Sequence, residues 1–443
     1  MPHADTLAAL TQQYLRDLVR IDTTNPPGNE KAAADYIAGV LRAAGVPSKV
    51  LESAPGRASV IARLKGDGSL RPLLLLSHLD VVPADPTEWD QPPFAANVVD
   101  GYMFGRGTVD TKNLTAVELA LMVTLQREGL PLKRDLILAA TADEEAGGEM
   151  GMNWLLEHHP GELEAEYCIN EGGGDGVMLG GRRFYTCQTG EKGVCWMKVT
   201  AHGTPGHASM PRADNAVVRL CAAVARAGTA KLPLRKTDTV ERLVEAAAAL
   251  LPAPLAEALR GVLDPAREEE ALQLMDGLPQ IQALLRATLH DTISPTMLEA
   301  GSKANVIPGT ATATLDGRIV PGQTPDAFLA EVQELLGPEV KAELLQRSTG
   351  YESEPGSPLF DLMAQVLREH DPGSVLAPFL VPGATDGRML AARGVKVYGF
   401  CPLQDEPGWP ALEMAHARNE RISLANLHFS SAVLYDVVRR FCS

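Results

Sequence analysis

Leu7, Leu10, Tyr14, Leu15 and Leu18 recur at every third or fourth position and predict a helix over 6–19. The Pro- and Gly-rich run 23–29 breaks it, and a second helix is predicted from Glu30 to Ala44 with Gly45 as its stop. Residues 59–64 and 73–77 read as strands. The second has no polar residue before Ser77, as expected of a central parallel strand covered on both faces. A helix is predicted over 114–128, ending at Gly129, and a further strand over 135–141. This alternation holds to about Gln188 and marks an α/β domain.

Past Thr189 the pattern changes. A strand is predicted over 194–200, then the turn-rich Gly203-Thr204-Pro205-Gly206-His207, then a helix over 215–227. Residues 237–290 are rich in Ala, Leu and Glu and read as several short helices. Residues 310–318 alternate weakly, as a half-buried strand does, and Pro321-Gly322 turns the chain into a helix over 325–336. The β/α texture returns from about Gly356, with no internal repeat and no low-complexity linker. The expected fold is therefore α/β with a mostly parallel central sheet, interrupted by an inserted α+β domain. The predicted parts are 1–188, 189–350 and 351–443.

Composition narrows the function. Of the 443 residues, 45% are hydrophobic and 22% charged, which provides for a sizeable core and argues against disorder. A net charge of -16 disfavours nucleic acid as a partner. None of the six cysteines forms a Cys-x-x-Cys pair, and several lie in apolar runs, so reduced thiols in a cytoplasmic protein are expected. No basic-then-apolar leader is visible, and no apolar run reaches the roughly 18 residues of a membrane span.

Five segments carry candidate chemistry: Ser77-His78-Leu79-Asp80, Gly105-Arg106-Gly107-Thr108-Val109-Asp110, Asp143-Glu144-Glu145, Asn170-Glu171 and Ala415-His416. They follow apolar runs or lie in turn-rich loops, and α/β sheets bind ligands outside the carboxyl ends of their strands. Histidine and carboxylates gathered at one edge suit a dinuclear metal site with a bridging carboxylate and a shared water. Taken singly, each segment has a plainer explanation. His78 and Asp80 read equally as a surface histidine beside an unrelated aspartate. Asp110 reads as a helix N-cap. Exposed runs such as 143–145 are usually solvated, although beside a cation one Glu can ligate while its neighbour serves as a base. Gly172-Gly173-Gly174 lacks the Lys and Ser/Thr of a phosphate loop. His158, His159 and His370 fall at predicted helix ends, where capping or solvation is the usual role.

Together the segments resemble the dinuclear zinc peptidase and aminoacylase family, whose members include acetylornithine deacetylase, succinyl-diaminopimelate desuccinylase, aminoacylase and carboxypeptidase S. The resemblance runs through Ser77-His78-Leu79-Asp80-Val81-Val82-Pro83 and Asp143-Glu144-Glu145-Ala146-Gly147-Gly148. Trp89, Pro93-Phe94 and 100–107 look most like the aminoacylase and carboxypeptidase S branch. It implies a zinc-hydrolase catalytic domain with an inserted lid/dimerisation domain, and two Zn2+ per chain, with Co2+ or Mn2+ as substitutes. His78 would bind one metal and His416 the other, Asp110 would bridge them, and Glu145 and Glu171 would be terminal ligands. Glu144 would be the general base, with Asp80 orienting His78. A cis peptide between Asp110 and Thr111 is implied as well.

In the inserted domain the resemblance makes His207 the oxyanion-stabilising histidine, often supplied by a partner subunit, and Asn305 and Arg318 substrate-binding residues. Thr385 and Asp386 match another substrate-side loop. His416 is preferred to His428 as the closing ligand, because His428 falls in a predicted helix interior. Three departures from the family stand out: Asn113 where Gly often follows Asp-x-Lys, a longer 237–290 stretch, and Glu rather than Asp at 171. The implied activity is hydrolysis of an amide next to a free carboxylate, in an N-acyl amino acid or a peptide, by a homodimer with no nucleic-acid or membrane partner. The alternatives are an aminopeptidase or dipeptidase of the same family, or an inactive binding protein on this scaffold.

Overall fold

The computed structural model describes residues 2–275, 279–409 and 411–443, without the side chains of residues 2–5, 279, 280, 411 and 412. The chain forms two compact units. The first comprises 1–189, 353–379 and 385–443; the second comprises 190–352 and 380–384.

The first unit is built on a mixed sheet in the order 48–54, 57–64, 136–141, 73–78, 167–170, 396–399, 182–191. The strands Leu136–Thr141, Leu73–His78, Tyr167–Asn170 and Lys396–Gly399 run parallel. Arg57–Leu64 closes one side antiparallel to Leu136–Thr141. Every residue of Leu73–His78 and Leu136–Thr141 is buried, as their uninterrupted apolar sequence requires of strands covered on both faces. One covering helix, Lys112–Glu128, is buried from Lys112 to Leu125 and stops at Gly129, whose left-handed φ of 61° suits a helix C-cap. It packs against Pro2–Val19 and Leu424–Cys442.

This helix begins two residues before the predicted start. Thr111, not Asp110, occupies its N-cap position, so the capping role open to Asp110 in the sequence is not the one it takes. Ser48–Ala54 and Arg182–Glu191 were not anticipated. The first is a half-exposed edge strand in which Ser, Lys and Glu interrupt the apolar residues, so it carries no clear period.

The second unit has a four-stranded antiparallel sheet in the order 292–300, 310–319, 193–202, 340–344. Ala216–Thr229 and Pro325–Leu336 pack on it. The latter helix starts as its sequence suggests, with the Thr324 hydroxyl accepting from Ala327 N and Pro325 in the first turn. The 237–290 stretch forms four helices with a small core of their own, centred on Val240, Val244 and Leu272; residues 276–278 lie outside the described residues.

Candidate metal centre

The carboxyl ends of Leu73–His78, Leu136–Thr141 and Tyr167–Asn170 deliver His78, Glu144, Glu145 and Glu171 to one edge of the sheet. The loops at Asp110 and His416 join them there. His78, Asp110 and Glu171 form one group, and Asp110, Glu145 and His416 a second, with the candidate ligand atoms of each group within 4.8 Å of one another. His78 Nε2 lies 3.0 Å from Asp110 Oδ1 and 3.4 Å from Glu171 Oε2. His416 Nε2 lies 3.1 Å from Asp110 Oδ2 and 3.1 Å from Glu145 Oε2. Asp110 thus offers one oxygen to each group. Donors about 2.0–2.1 Å from a tetrahedral cation stand roughly 3.3 Å apart, so this set fits a pair of small divalent ions. The Asp110–Thr111 peptide is cis, as expected.

The electrostatics suit a cation as well. Burial opposes charge on His78, but the Glu171, Asp110 and Asp80 carboxylates outweigh it and hold the imidazole well above its usual range. Asp110 and Glu145 push His416 up to about 10. Burial would raise Asp110, yet hydrogen bonds from the two imidazoles keep it far below the ordinary carboxylate range. Carboxylates thus surround both imidazoles, an excess of acidic oxygens that divalent cations would balance.

The three adjacent acids 143–145 separate their roles by direction. Asp143 sits at φ 69° and faces the scaffold, where it accepts from Arg57, from Asn25 Nδ2 and from the Met150 amide. Arg57 is itself gripped by both oxygens of buried Glu30. Glu145 faces His416. Glu144 lies between the two, and among the described residues no donor is bonded to its carboxylate. Burial, and then the nearby Glu171 carboxylate, raise its pKa well above the usual range. The loop then passes so close to the sheet that a Cβ at Gly151 would stand 1.7 Å from the Ala142 carbonyl oxygen. Gly151→Ala should cost about 3 kcal/mol, read as a lower midpoint in urea unfolding; an unchanged midpoint would contradict this packing.

Asp80 meets His78 Nδ1 through its backbone carbonyl at 3.0 Å, with its carboxylate behind at 3.6 Å. The carboxylate also accepts the amides of Glu144 and Glu145 and the Asn25 side chain. It therefore ties the loop carrying 144 and 145 to the strand end carrying 78.

One support, Asn25, escaped the sequence, and so did the role of a second, Glu420, whose place after His416 matches the family. Asn25 lies in a segment legible only as a break, yet it bridges Asp80 and Asp143. Glu420, buried, accepts from the amides of Gly107, Val109 and Asp110 and from Arg106, fixing the loop that aims Asp110. Burial lifts Glu420 to about 7 against the pull of Arg106. Gly107, at φ 89°, lets that loop pass Val81 and Lys112, where a Cβ would come within 2.9 Å of Val81.

Thr385 and Asp386, expected to face substrate, are buried at 6% and 2% exposure. Thr385 Oγ1 is bonded to Asn170 and Asp386 to Thr141, so both brace the strand ends from behind. Burial pushes Asp386 up to about 7. In the second unit, exposed His207 pairs with Val306 across a short ladder, has Ser209 Oγ 2.7 Å from Nδ1, and neighbours Asn305, whose carbonyl accepts the Ala208 amide. Arg318 is held by both oxygens of Asp316, so much of its fork is already taken. His158 contacts the Trp154 carbonyl and His370 contacts Asp436, away from the metal ligands.

Residues 74–440 match the model of peptidase family M20/M25/M40. The chain belongs to that family. It is 29% identical over 434 residues to an N-fatty-acyl-amino acid synthase/hydrolase of Xenopus tropicalis, covering 93% of this chain and 82% of that protein. It is 28% identical over 424 residues to aminoacylase-1 of Homo sapiens, covering 93% and 90%. In fold it is similar to a metallo-carboxypeptidase of Sulfolobus solfataricus, with a TM-score of 0.70 at 19% identity over 97% and 98% of the two chains. The M20/M25/M40 chain is a metallohydrolase with an α/β catalytic fold. No described helix is long and apolar enough to cross a membrane.

Proposed function

We propose that this chain is a dinuclear zinc hydrolase that removes the acyl group from N-acyl amino acids or cuts peptides at the C-terminal residue. The observation that carries this is the pair of ligand groups sharing Asp110, with the unbonded carboxylate of Glu144 beside them. His78 and Glu171 would hold one cation, His416 and Glu145 the other, and Asp110 both. Zn2+ bound there supplies Lewis acidity toward the amide carbonyl and toward water, and Co2+ or Mn2+ could stand in.

Glu144 takes the proton of the attacking water and delivers it to the leaving nitrogen. Its raised pKa suits a group that must both accept and return a proton. Asp80 and Asp143 hold the Glu144 loop, and Glu420 holds Asp110. His207 stabilises the oxyanion, Asn305 contacts the substrate, and Arg318 binds the free carboxylate through Nη1, which Asp316 does not engage. Thr385 and Asp386 support the strand ends. Residues 1–188 and 351–443 form the catalytic domain, and 189–350 the lid and dimerisation domain, of a cytoplasmic homodimer.

The relatives named for acyl amino acids favour deacylation. A panel of N-acyl amino acids against free dipeptides, assayed with the zinc-loaded protein, tests it. The expected result is faster turnover of the acyl amino acids; turnover confined to free dipeptides would replace this reading with a dipeptidase, and none at all with a binding protein. We further propose that His207 serves the centre of a second copy. Mixing inactive His207→Ala protein with inactive Glu144→Gln protein should then restore activity through heterodimers with one intact site. Shown subunit exchange without activity would confine His207 to its own chain or remove it from the reaction.

A further inference from the structure

We infer that Ser209 is the positioning residue of His207, and that its backbone amide decides which ring nitrogen carries the proton. The Ser209 amide donates to His207 Nδ1 at 3.2 Å. A backbone amide always carries its hydrogen, so the atom it points at must be an acceptor. An imidazole nitrogen accepts only where it has no proton. In the neutral ring the proton is therefore on Nε2, which is left as an N–H donor. The Ser209 hydroxyl lies 2.7 Å from the same Nδ1. It is a rotor and can turn its own hydrogen toward that nitrogen, whereas the amide cannot turn. The amide leads and the hydroxyl follows.

The local chain builds this arrangement from both sides. Gly206 and His207 pair with Ile307 and Val306 in a short antiparallel ladder. The Ala208 amide goes to the Asn305 carbonyl, and the Met210 amide returns to the His207 carbonyl at 3.0 Å. That last bond closes a tight turn over 207–210. The Ser209 amide sits inside the turn and meets the side chain two residues before it. Asn and Asp make the same span in an Asx turn. An imidazole does it with one nitrogen and still has a second to offer. An ordinary surface histidine has water at both nitrogens and exchanges its proton between them. Here two donors of one residue converge on a single nitrogen, and among the described residues Nε2 has no partner.

The fixed proton narrows what His207 can do. A protonated Nε2 has no lone pair with which to bind a metal or take a proton from water, and Nδ1 is already engaged. His207 therefore adds neither a ligand nor a base to those at the sheet edge. It suits an oxygen that gains negative charge. A ring free to exchange would spend part of its time with a lone pair toward that oxygen, which repels it. Holding the donor in advance removes this reorganisation from the reaction. The use of the donor in catalysis rests on the hydrolase reading above; the place of the proton does not.

Long-range proton–nitrogen NMR on the zinc-loaded full chain, labelled with heavy nitrogen in its histidines, reads the proton position directly. His207→Gln protein assigns the signal by its absence. In alkaline buffer, where free imidazoles are neutral, we expect the Nε2–H form alone, both in the native protein and in Ser209→Ala, which keeps the amide. A backbone ester at 209 removes the amide hydrogen without restricting the chain, and Ser209→Pro removes it by ordinary mutagenesis. Either should give a mixture of the two forms. A proton on Nδ1 of the native protein, a mixture already present in it, or an unchanged single form in the ester protein would each overturn the inference. Turnover of an N-acyl amino acid reads the donor. His207→Gln offers an amide N–H and His207→Glu only an acceptor. The first should keep at least about tenfold more kcat than the second, with the difference in kcat rather than KM. Equal losses would remove the donor role. A native protein that hydrolyses nothing would end the hydrolase reading alone, because the NMR result is obtained without substrate.

Discussion

Glu144→Gln protein should retain two metal ions and its fold, and lose about 100- to 10,000-fold in turnover. The substitution keeps size and shape and removes only the ability to take and return a proton. No ligand atom is lost, because Glu145 rather than Glu144 faces His416. The backbone amide of Glu144 still donates to Asp80, so the loop stays tied. Metal content by elemental analysis and kcat on an N-acyl amino acid decide it. Near-normal kcat would remove Glu144 as the base, and loss of metal would make it a ligand.

His416→Ala should lose about one of two metal ions and most activity, whereas His428→Ala keeps both. His416 stands at φ 61° in a loop, with Nε2 within 3.1 Å of both Asp110 and Glu145. His428 lies inside the helix Leu424–Cys442; burial lowers its pKa, and its Nε2 has no partner among the described residues. Removing His416 also strips one side of the shared carboxylate, so the second metal should bind more weakly. Metal counting on the two purified variants checks this, and the reverse pattern would move the ligand assignment to His428.

The parts of this molecule legible in sequence are those with a strong period or a dense motif. Leu73–His78 announced itself by its four leucines, and Pro325–Leu336 by the Pro321-Gly322 turn before it. His78, Asp110, Glu145, Glu171 and His416 were legible only jointly, through the family resemblance of their ordered segments, and the fold brings all five together. The supports were not legible, since their chemistry is long-range. Asn25 acts 55 positions away on Asp80 and 118 away on Asp143. A bond of that span leaves no local period. Spacing placed Asp80 beside His78 but could not show that its carboxylate also holds the Glu144 and Glu145 amides. Buried Thr385 and Asp386 teach the same lesson, because a polar pair in a Gly-rich loop looks alike whether it faces a ligand or the interior.

Glu420 reaches three backbone amides that precede it by more than 300 positions. On a ribosome, the loop bearing Asp110 is made more than 300 residues before the carboxylate that fixes it. The strand Lys396–Gly399, which pairs beside Tyr167–Asn170, arrives equally late. The loop that carries Asp110 is therefore finished only once the chain has been made past Glu420, and a chain cut before that residue lacks the acceptor that fixes it.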